Sequence, residues 1–190
     1  MGHKEDLLAG AKKMLVERGF AHTTARDIVA VSGTNLASIG YHFGSKDALM
    51  MQAMIELMGE WGDRFAPPEA RQSDQPSAEK FLAAWERLTR LFVEDRNLLI
   101  ASYEIIGQIE RTPELRAILL SAWELVRQDM AFDFLTIGPE VDKKTIRAVS
   151  SVLLALLSGL SVQYLVDAKS APTADDIALA VRFIGRSLGR

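Results

Sequence analysis

Cysteine is absent from the 190 residues of this chain, and histidine occurs only three times. The lack of cysteine excludes disulfides, thiolate nucleophiles and cysteine-ligated zinc, and nothing indicates an oxidising compartment. His3, His22 and His42 have no metal-ligand spacing such as H-x-x-x-H, so we predict no metal site. No nucleophile–base pair, paired carboxylates or phosphate-binding loop stands out, which argues against an enzyme and predicts no cofactor.

A general excess of positive charge is also missing, because the net charge is -3. Residues 1–50 contain six lysines and arginines against five acidic residues, a net of +1, and the remainder contains 16 against 20, a net of -4. This asymmetry has the sign expected of a DNA-binding N-terminal region, but it is small. Charge alone therefore does not predict a nucleic-acid partner.

Long hydrophobic runs are rare. The first residues carry charges in a helical pattern, so we predict no secretory signal and expect a cytoplasmic protein. Residues 148–166 contain no charged residue and are long enough to raise a membrane-spanning alternative. Serine, glycine and glutamine residues are spread round this segment, and nothing else in the chain looks membranous, so we predict no membrane partner.

A soluble helix that is apolar all round must be covered on both sides. One side of residues 142–167 can face the chain's own core, and the other side needs a second helix pair, most simply from a two-fold partner. The last helix opens with Thr173 and Asp176 as a capping box and carries an apolar stripe. These two helices predict a four-helix homodimer interface with the following residues: Leu153, Leu156, Leu157, Leu160, Tyr164, Val181, Ile184 and Leu188.

What the chain does contain is a distinctive stretch from Thr23 to Asp47, which reads as two short helices joined by a tight turn. Thr24 and Asp27 form a capping box at the start of the first helix. Gly33 supplies the positive φ that the turn needs, and Asn35 can cap the second helix. This pattern predicts a helix-turn-helix.

The second helix of this stretch has a small, hydrogen-bonding outer face, which suits a helix that lies against something polar, with DNA the leading candidate. Gly40 in mid-helix costs about 1 kcal/mol relative to alanine. Lys46 stands in the first turn of the following helix, where the helix dipole disfavours a cation. A bound DNA phosphate would explain Lys46, and an exposed lysine without a partner is the alternative.

The run GTNLASIGYHFGSKDAL, preceded by TTARDIVAVS, resembles the helix-turn-helix signature of the TetR family of one-component transcriptional regulators over about 45 residues. The resemblance implies that Tyr41, His42 and Lys46 contact DNA phosphates, with Thr24 a possible further contact. It also implies that base edges are faced by Thr34, Asn35, Ala37 and Ser38. Gly40 departs from the family pattern, and Leu36 is apolar where a polar residue is common, so Leu36 either touches a thymine methyl or packs.

The remaining segments read as amphipathic helices. We predict an all-α protein of about nine helices, with a three-helix helix-turn-helix head and a larger helical body. The predicted domains are residues 1–62, which bind DNA and include a connecting helix, and residues 63–190, which bind an effector and form the dimer. A proline-rich connector lies between residues 65 and 77.

Aromatic residues at helical spacing in the body are usually core, but the family resemblance implies that some line an effector cavity. Glu104 and Gln108 are candidate polar anchors inside it, or they form the wet face of their helix. The candidate effector residues are Trp61, Phe81, Trp85, Phe92, Tyr103, Glu104, Gln108, Trp123, Arg127 and Phe134.

The sequence thus predicts a homodimeric, sequence-specific DNA-binding regulator, with partners double-stranded DNA and an unidentified small molecule. We expect a repressor released from a palindromic operator by that effector. A protein-interaction adaptor built on a helical dimer and a small helical enzyme are the alternatives. The adaptor would leave Gly40, Lys46 and the Tyr41-His42 pair without a purpose.

Overall fold

The computed structural model describes residues 2–67, 70, 75–110 and 112–189. Nine α-helices and no strand lie in these residues, which confirms the predicted all-α class. The helices are α1 (His3–Arg18), α2 (Ala25–Ser32), α3 (Leu36–Phe43), α4 (Lys46–Phe65), α5 (Ser77–Glu94), α6 (Arg96–Ile106), α7 (Pro113–Phe134), α8 (Lys143–Asp167) and α9 (Ala174–Leu188).

Two helix ends differ from the sequence prediction. The periodicity predicts a helix over residues 96–110, but α6 ends at Ile106 because the next N–H groups close a tighter turn, in which Gln108 donates to the carbonyl of Ile105. Helix α4 continues to Phe65, three residues beyond the predicted end at residue 62, because no helix-breaking residue occurs before Pro67. Most of the predicted connector lies outside the described residues.

The chain forms two compact units. The first comprises Met1–Gly62 and Asn97–Leu119, and the second comprises Asp63–Arg96 and Leu120–Arg190. The predicted domain boundary between residues 62 and 63 coincides with one of the points at which the chain passes from one unit to the other. The sequence prediction placed residues 97–119 in the body. Those residues pack in the first unit instead, a long-range arrangement that helical periodicity does not report.

In the first unit, α1, α2 and α3 pack on one another around a small apolar core. Gly10 allows α1 to approach α2 closely, because a Cβ there would stand 3.1 Å from the carbonyl oxygen of Ile28 and 3.0 Å from Cβ of Ser32. The buried apolar residues of these three helices are Leu7, Ala11, Met14, Leu15, Ile28 and Ile39. This tight core fixes the angle at which α3 is presented.

In the second unit, aromatic rings form the centre of the core. Phe134 lies between three rings, with centroid distances of 5.1 Å to Trp85, 5.4 Å to Phe65 and 5.8 Å to Phe81. Such tilted ring pairs add to the stabilisation from burial. This cluster joins α4, α5 and α7.

Helix α8 contributes both to the core and to the surface of the second unit. The hydroxyl of Ser150 is fully buried and accepts a hydrogen bond at 3.0 Å from the backbone N–H of Ala131. Among the described residues, α8 is the one helix long and apolar enough to cross a membrane. Within the chain 28% of the apolar window of α8 is buried, and the core helix of a soluble protein passes the same test of length and composition.

Candidate nucleic-acid interface

The helix-turn-helix is built from local capping interactions, and each predicted cap is present. The hydroxyl of Thr24 accepts from the N–H of Asp27, and the Asp27 carboxylate accepts from the N–H of Thr24. Gly33 adopts the left-handed conformation at φ 67° and ψ 20°, which turns the chain between α2 and α3. Asn35 then caps α3.

The outer face of α3 is exposed and combines small residues with two larger side chains. Leu36, Ala37, Gly40 and Tyr41 are all exposed, whereas Ile39 is buried against the head. No heavy atom lies within 4 Å of the position a Cβ would take at Gly40. A partner could therefore approach the backbone of α3 closely here, which offers a physical role for the mid-helix glycine. The sequence suggested that Leu36 either packs or touches a partner, and a side chain that is 50% exposed favours the second role.

The first turn of α3 is held by the side chain of Asn35. Its Oδ1 accepts from the backbone N–H of Ser38 at 3.0 Å and from the Ser38 hydroxyl at 3.2 Å. The amide group of Asn35 keeps its two N–H donors for another partner. Thr34, the preceding base-facing candidate, is half-buried and shares a hydrogen bond of 2.7 Å with the hydroxyl of Ser32.

His3 is a neighbour of this turn that sequence reasoning missed. Its Nδ1 lies 3.3 Å from the Ser38 hydroxyl, although the two residues are 35 positions apart. The sequence contains no signal for this contact, because it depends on how α1 packs against α3. Arg26, an exposed residue in the first turn of α2, is a second candidate DNA contact that the count of charges did not single out.

Tyr41 and His42 end α3 as a pair of rings in edge-to-face contact, with centroids 4.8 Å apart. The side chain of Tyr41 is 85% exposed, while His42 is half-buried and also lies beside Phe43. An exposed tyrosine held by a neighbouring ring presents its hydroxyl to solvent. That is the geometry expected of a phosphate contact.

Thr24 is less available than the sequence suggested. Its N–H and its hydroxyl both donate to Oδ2 of Asp27, at 2.9 Å and 2.6 Å. These hydrogen bonds, with help from the nearby Arg18 guanidinium, hold the pKa of Asp27 below its ordinary value. A phosphate contact from Thr24 would have to break this cap and approach a carboxylate, which makes Thr24 the least favoured of the predicted phosphate contacts.

Lys46 points back into the head. Its Nζ donates to the carbonyl oxygen of Thr23 at 3.2 Å, forms an ion pair with Asp47 at 3.1 Å and lies 5.3 Å from the centre of the Phe20 ring. The side chain is 29% exposed. The alternative of an exposed lysine without a partner is therefore wrong. An ammonium group has three donors, so a phosphate remains a possible further partner.

Two family profiles cover most of the chain. Residues 7–53 match the family described as "Bacterial regulatory proteins, tetR family", and residues 76–187 match "Tetracyclin repressor-like, C-terminal domain". The chain belongs to the TetR family of bacterial transcriptional regulators. The resemblance seen in the helix-turn-helix residues is thereby confirmed.

Individual TetR-family relatives are more distant. The HTH-type transcriptional dual regulator CecR of Shigella flexneri is 29% identical over 118 residues, which are 57% of this chain and 52% of that protein, so the match spans about half the length of the relative. A transcriptional regulator from Rhodococcus sp. Rha1 has the same fold with a TM-score of 0.71 at 20% identity, covering 96% of each chain. The multidrug binding protein EbrR, solved with proflavin, gives a TM-score of 0.67 at 22% identity over 95% of this chain and 97% of its own.

The predicted effector residues of this TetR-family chain are divided between the two compact units. Trp61, Tyr103, Glu104 and Gln108 belong to the first unit, and the other six belong to the second. Phe81, Trp85 and Phe134 are packed against one another in the aromatic core, Phe92 lies 5.5 Å from Tyr164, and Arg127 stacks on Trp123 at 5.8 Å. The carboxylate of Glu104 accepts hydrogen bonds from the backbone N–H groups of Phe20 and Ala21 in the head.

A groove of about 490 Å³ does occur in the second unit, between α5, α8 and α9. Its walls are apolar apart from Ser77 and Arg182, and it shares only Phe81 with the predicted effector residues. The remaining wall residues are Ala78, Leu135, Ala148, Val149, Val152, Leu153, Leu156, Ala178 and Val181. Three of these wall residues, Leu153, Leu156 and Val181, were predicted to lie in the dimer interface.

The predicted dimer residues divide into three groups by their exposure in the single chain. Leu153, Leu160 and Tyr164 are buried inside the single chain and offer almost no area to a partner, which corrects their assignment. The Tyr164 hydroxyl donates to the carbonyl of Pro172 at 2.9 Å, and burial raises its pKa. Leu156 and Leu157 are half-buried, whereas Val181, Ile184 and Leu188 are exposed. The sequence prediction missed five further exposed apolar side chains on α8 and α9, namely Val152, Val162, Val166, Leu179 and Phe183.

Proposed function

We propose that the protein is a homodimeric DNA-binding repressor whose affinity for a palindromic operator is lowered by a small-molecule effector. The observation that carries the proposal is the outer face of α3, where Leu36, Ala37, Gly40 and Tyr41 are exposed and no carboxylate occurs. A helix of this kind can lie in the major groove with its first turn at the base edges. Membership of the TetR family supports the same reading.

Contacts on α3 divide into two roles. Asn35 and Ser38 in the first turn face the bases, with Asn35 using the N–H donors that its capping role leaves free. Tyr41 and His42 at the other end of α3, together with Lys46 at the start of α4, hold the phosphate backbone, which fixes register without reading sequence. Leu36 and Ala37 provide apolar contact for a thymine methyl.

The dimer forms through α8 and α9. Every residue from Leu179 to Gly189 is exposed in the single chain, including Leu179, Val181, Phe183, Ile184 and Leu188. A monomer rarely leaves so many adjacent large apolar side chains in water. A two-fold partner would cover them and would place two α3 helices on the two half-sites of a palindrome. Because both heads of the dimer bind the same DNA, the dimer gains affinity that the small positive charge of one head does not supply.

The groove of the second unit is our candidate effector site. Its volume is that of a site for a small organic molecule. Apolar walls with a single arginine at the edge match an amphipathic molecule with one anionic group. Such a ligand lowers operator affinity only through its preference for the form of the protein that does not bind DNA.

Fluorescence anisotropy with labelled duplexes from the DNA upstream of the protein's own gene tests the proposal. We expect specific binding that weakens steeply with salt, a loss of affinity on all duplexes for Tyr41→Ala, and a changed base preference for Ser38→Ala. Leu125→Ala, at an exposed apolar site on α7, is the control. A pure dimer that binds none of these duplexes at low salt would overturn the DNA-binding function.

A further inference from the structure

Glu104 on α6 makes a contact with the head that its sequence context does not explain. Its Oε2 accepts a hydrogen bond from the N–H of Phe20 at 2.7 Å and another from the N–H of Ala21 at 3.1 Å. These two residues lie in the short connection between α1 and α2, more than 80 positions away along the chain. Two N–H groups on one carboxylate oxygen form a charge-assisted anion site.

The backbone of this connection is shaped around the carboxylate. Gly19 has φ 80° and ψ 176°, a conformation that residues with a Cβ rarely adopt. A Cβ at Gly19 would stand 2.7 Å from Oε2 and 2.9 Å from Oε1 of Glu104, so no larger residue fits without movement. Glycine at this position therefore serves both the turn and the close approach of Glu104.

The same connection supports Lys46. The hydroxyl of Thr23 donates to the carbonyl oxygen of Gly19 at 2.7 Å, and the carbonyl oxygen of Thr23 accepts from Nζ of Lys46. The ring of Phe20, whose N–H is held by Glu104, lies under the Lys46 ammonium. An unbroken series of contacts thus runs from Glu104 to Lys46 inside the first unit.

We propose that Glu104 is a positioning residue for DNA binding, which holds the α1–α2 connection so that Lys46 is presented to a phosphate; this inference rests on the DNA-binding function proposed above. Without the carboxylate, the N–H groups of Phe20 and Ala21 lose their acceptor and the connection loosens. Lys46 then has to be ordered at the moment of binding, which weakens the complex. Residues 97–119 would in this way contribute to operator affinity without touching DNA.

The test compares Glu104→Ala and Glu104→Gln in the full-length dimer with Glu110→Gln, a charge-neutralising control on the turn after α6. Hydrogen–deuterium exchange of the peptide covering residues 19–22 should quicken in Glu104→Ala. Operator affinity, measured well below the midpoint of thermal unfolding, should fall about tenfold, as expected from the loss of one charge-assisted contact. Glu104→Gln keeps an acceptor oxygen without the charge and should fall between wild type and Glu104→Ala.

A double-mutant cycle with Lys46→Ala separates positioning from a merely structural role. If Glu104 acts through Lys46, then Glu104→Ala should change affinity less than twofold in the Lys46→Ala background. Additive losses, or unchanged affinity in a folded Glu104→Ala protein, would overturn the proposal. Failure of the wild-type dimer to bind any duplex is a distinct result, because it would overturn the DNA-binding function itself and the role of Glu104 with it.

Discussion

The ammonium group of Lys46 lies 3.2 Å from the carbonyl oxygen of Thr23, 23 residues earlier in the chain. This hydrogen bond joins the start of α4 to the residue that precedes the cap of α2. A cation in the first turn of a helix is unfavourable for the helix alone, and the carbonyl oxygen and the Asp47 carboxylate offset that cost. Lys46 is therefore already oriented in the absence of DNA.

Replacement of Lys46 tests whether this oriented cation binds a phosphate. We expect Lys46→Ala to weaken binding to all duplexes alike and to reduce the slope of log K against log salt by about one. Lys169→Ala, which removes the same charge from the turn after α8, is the control. The slope is measured by anisotropy titrations between low and physiological salt. An unchanged slope would show that Lys46 binds only Thr23 and Asp47 within the chain and does not bind a phosphate.

Asn35 caps α3 and is proposed to face the DNA bases, and substitution can separate these two roles. Asn35→Ala removes the cap of α3 and should lower the free energy of unfolding by about 1 kcal/mol. Asn35→Asp keeps the acceptor for Ser38 but loses both N–H donors and adds a negative charge, so stability should hold while DNA binding falls. Chemical denaturation measures the stability of each variant, and fluorescence anisotropy with labelled duplexes measures its DNA binding. Equal DNA binding by Asn35→Asp and wild type would exclude Asn35 from the interface.

The exposed apolar surface of α9 predicts a dimer that a single charge can break. Phe183 is 70% exposed, so Phe183→Glu should leave the folded subunit intact but bury an unpaired carboxylate in the dimer. We expect a shift from dimer to monomer in sedimentation velocity and a loss of operator binding. Leu125→Glu is the matched control on α7, with 67% exposure. A monomeric wild type, or a dimeric Phe183→Glu, would contradict the assignment.

The capping box of α2 predicts a dependence of stability on pH. Hydrogen bonds from the Thr24 hydroxyl and N–H, together with Arg18, hold the pKa of Asp27 below its ordinary value of 3.8. A carboxyl whose pKa is lower in the folded than in the unfolded chain stabilises the fold above pH 3.8, and this contribution is lost as pH falls through the lower folded value. Asp27→Asn should therefore lower the midpoint of thermal unfolding at pH 7.

The difference between Asp27→Asn and wild type should shrink as the pH is taken below 3.8. Asp63→Asn, at an exposed position on α4, should differ little from wild type at either pH. A difference between Asp27→Asn and wild type that stays constant down to pH 3 would indicate that the capping role of Asp27 does not depend on its charge.

Local interactions explain why the helix-turn-helix could be read so fully from the sequence. The caps at Thr24 and Asn35 and the turn at Gly33 involve partners within three residues, so their spacing appears directly in the chain. The number of helices could be predicted for the same reason, because the apolar periodicity of each helix appears within its own short segment of sequence. The candidate DNA contacts depend on these caps for their positions and stay predictions; the donors of Thr24 face Asp27 instead of solvent.

The packing of residues 97–119 could not be predicted from the sequence. Glu104 stood out only as a polar residue in an apolar helix, and both a cavity anchor and a wet face were compatible with that pattern. Its partners, Phe20 and Ala21, are backbone groups that carry no sequence signature. The buried positions of Leu153, Leu160 and Tyr164 escaped prediction similarly, because a helix that is apolar all round does not indicate which face its own chain covers.

The sequence by itself determined the all-α class, the helix ends set by caps and glycines, the helix-turn-helix and the TetR family, because these depend on contacts between near neighbours. The tertiary structure decided that α6 packs with the head through Glu104, that Lys46 is held by Thr23, and which apolar side chains of α8 and α9 stay exposed. Each of these is a contact between residues distant along the chain. Its free energy depends on how whole helices pack, and no short stretch of sequence carries that information.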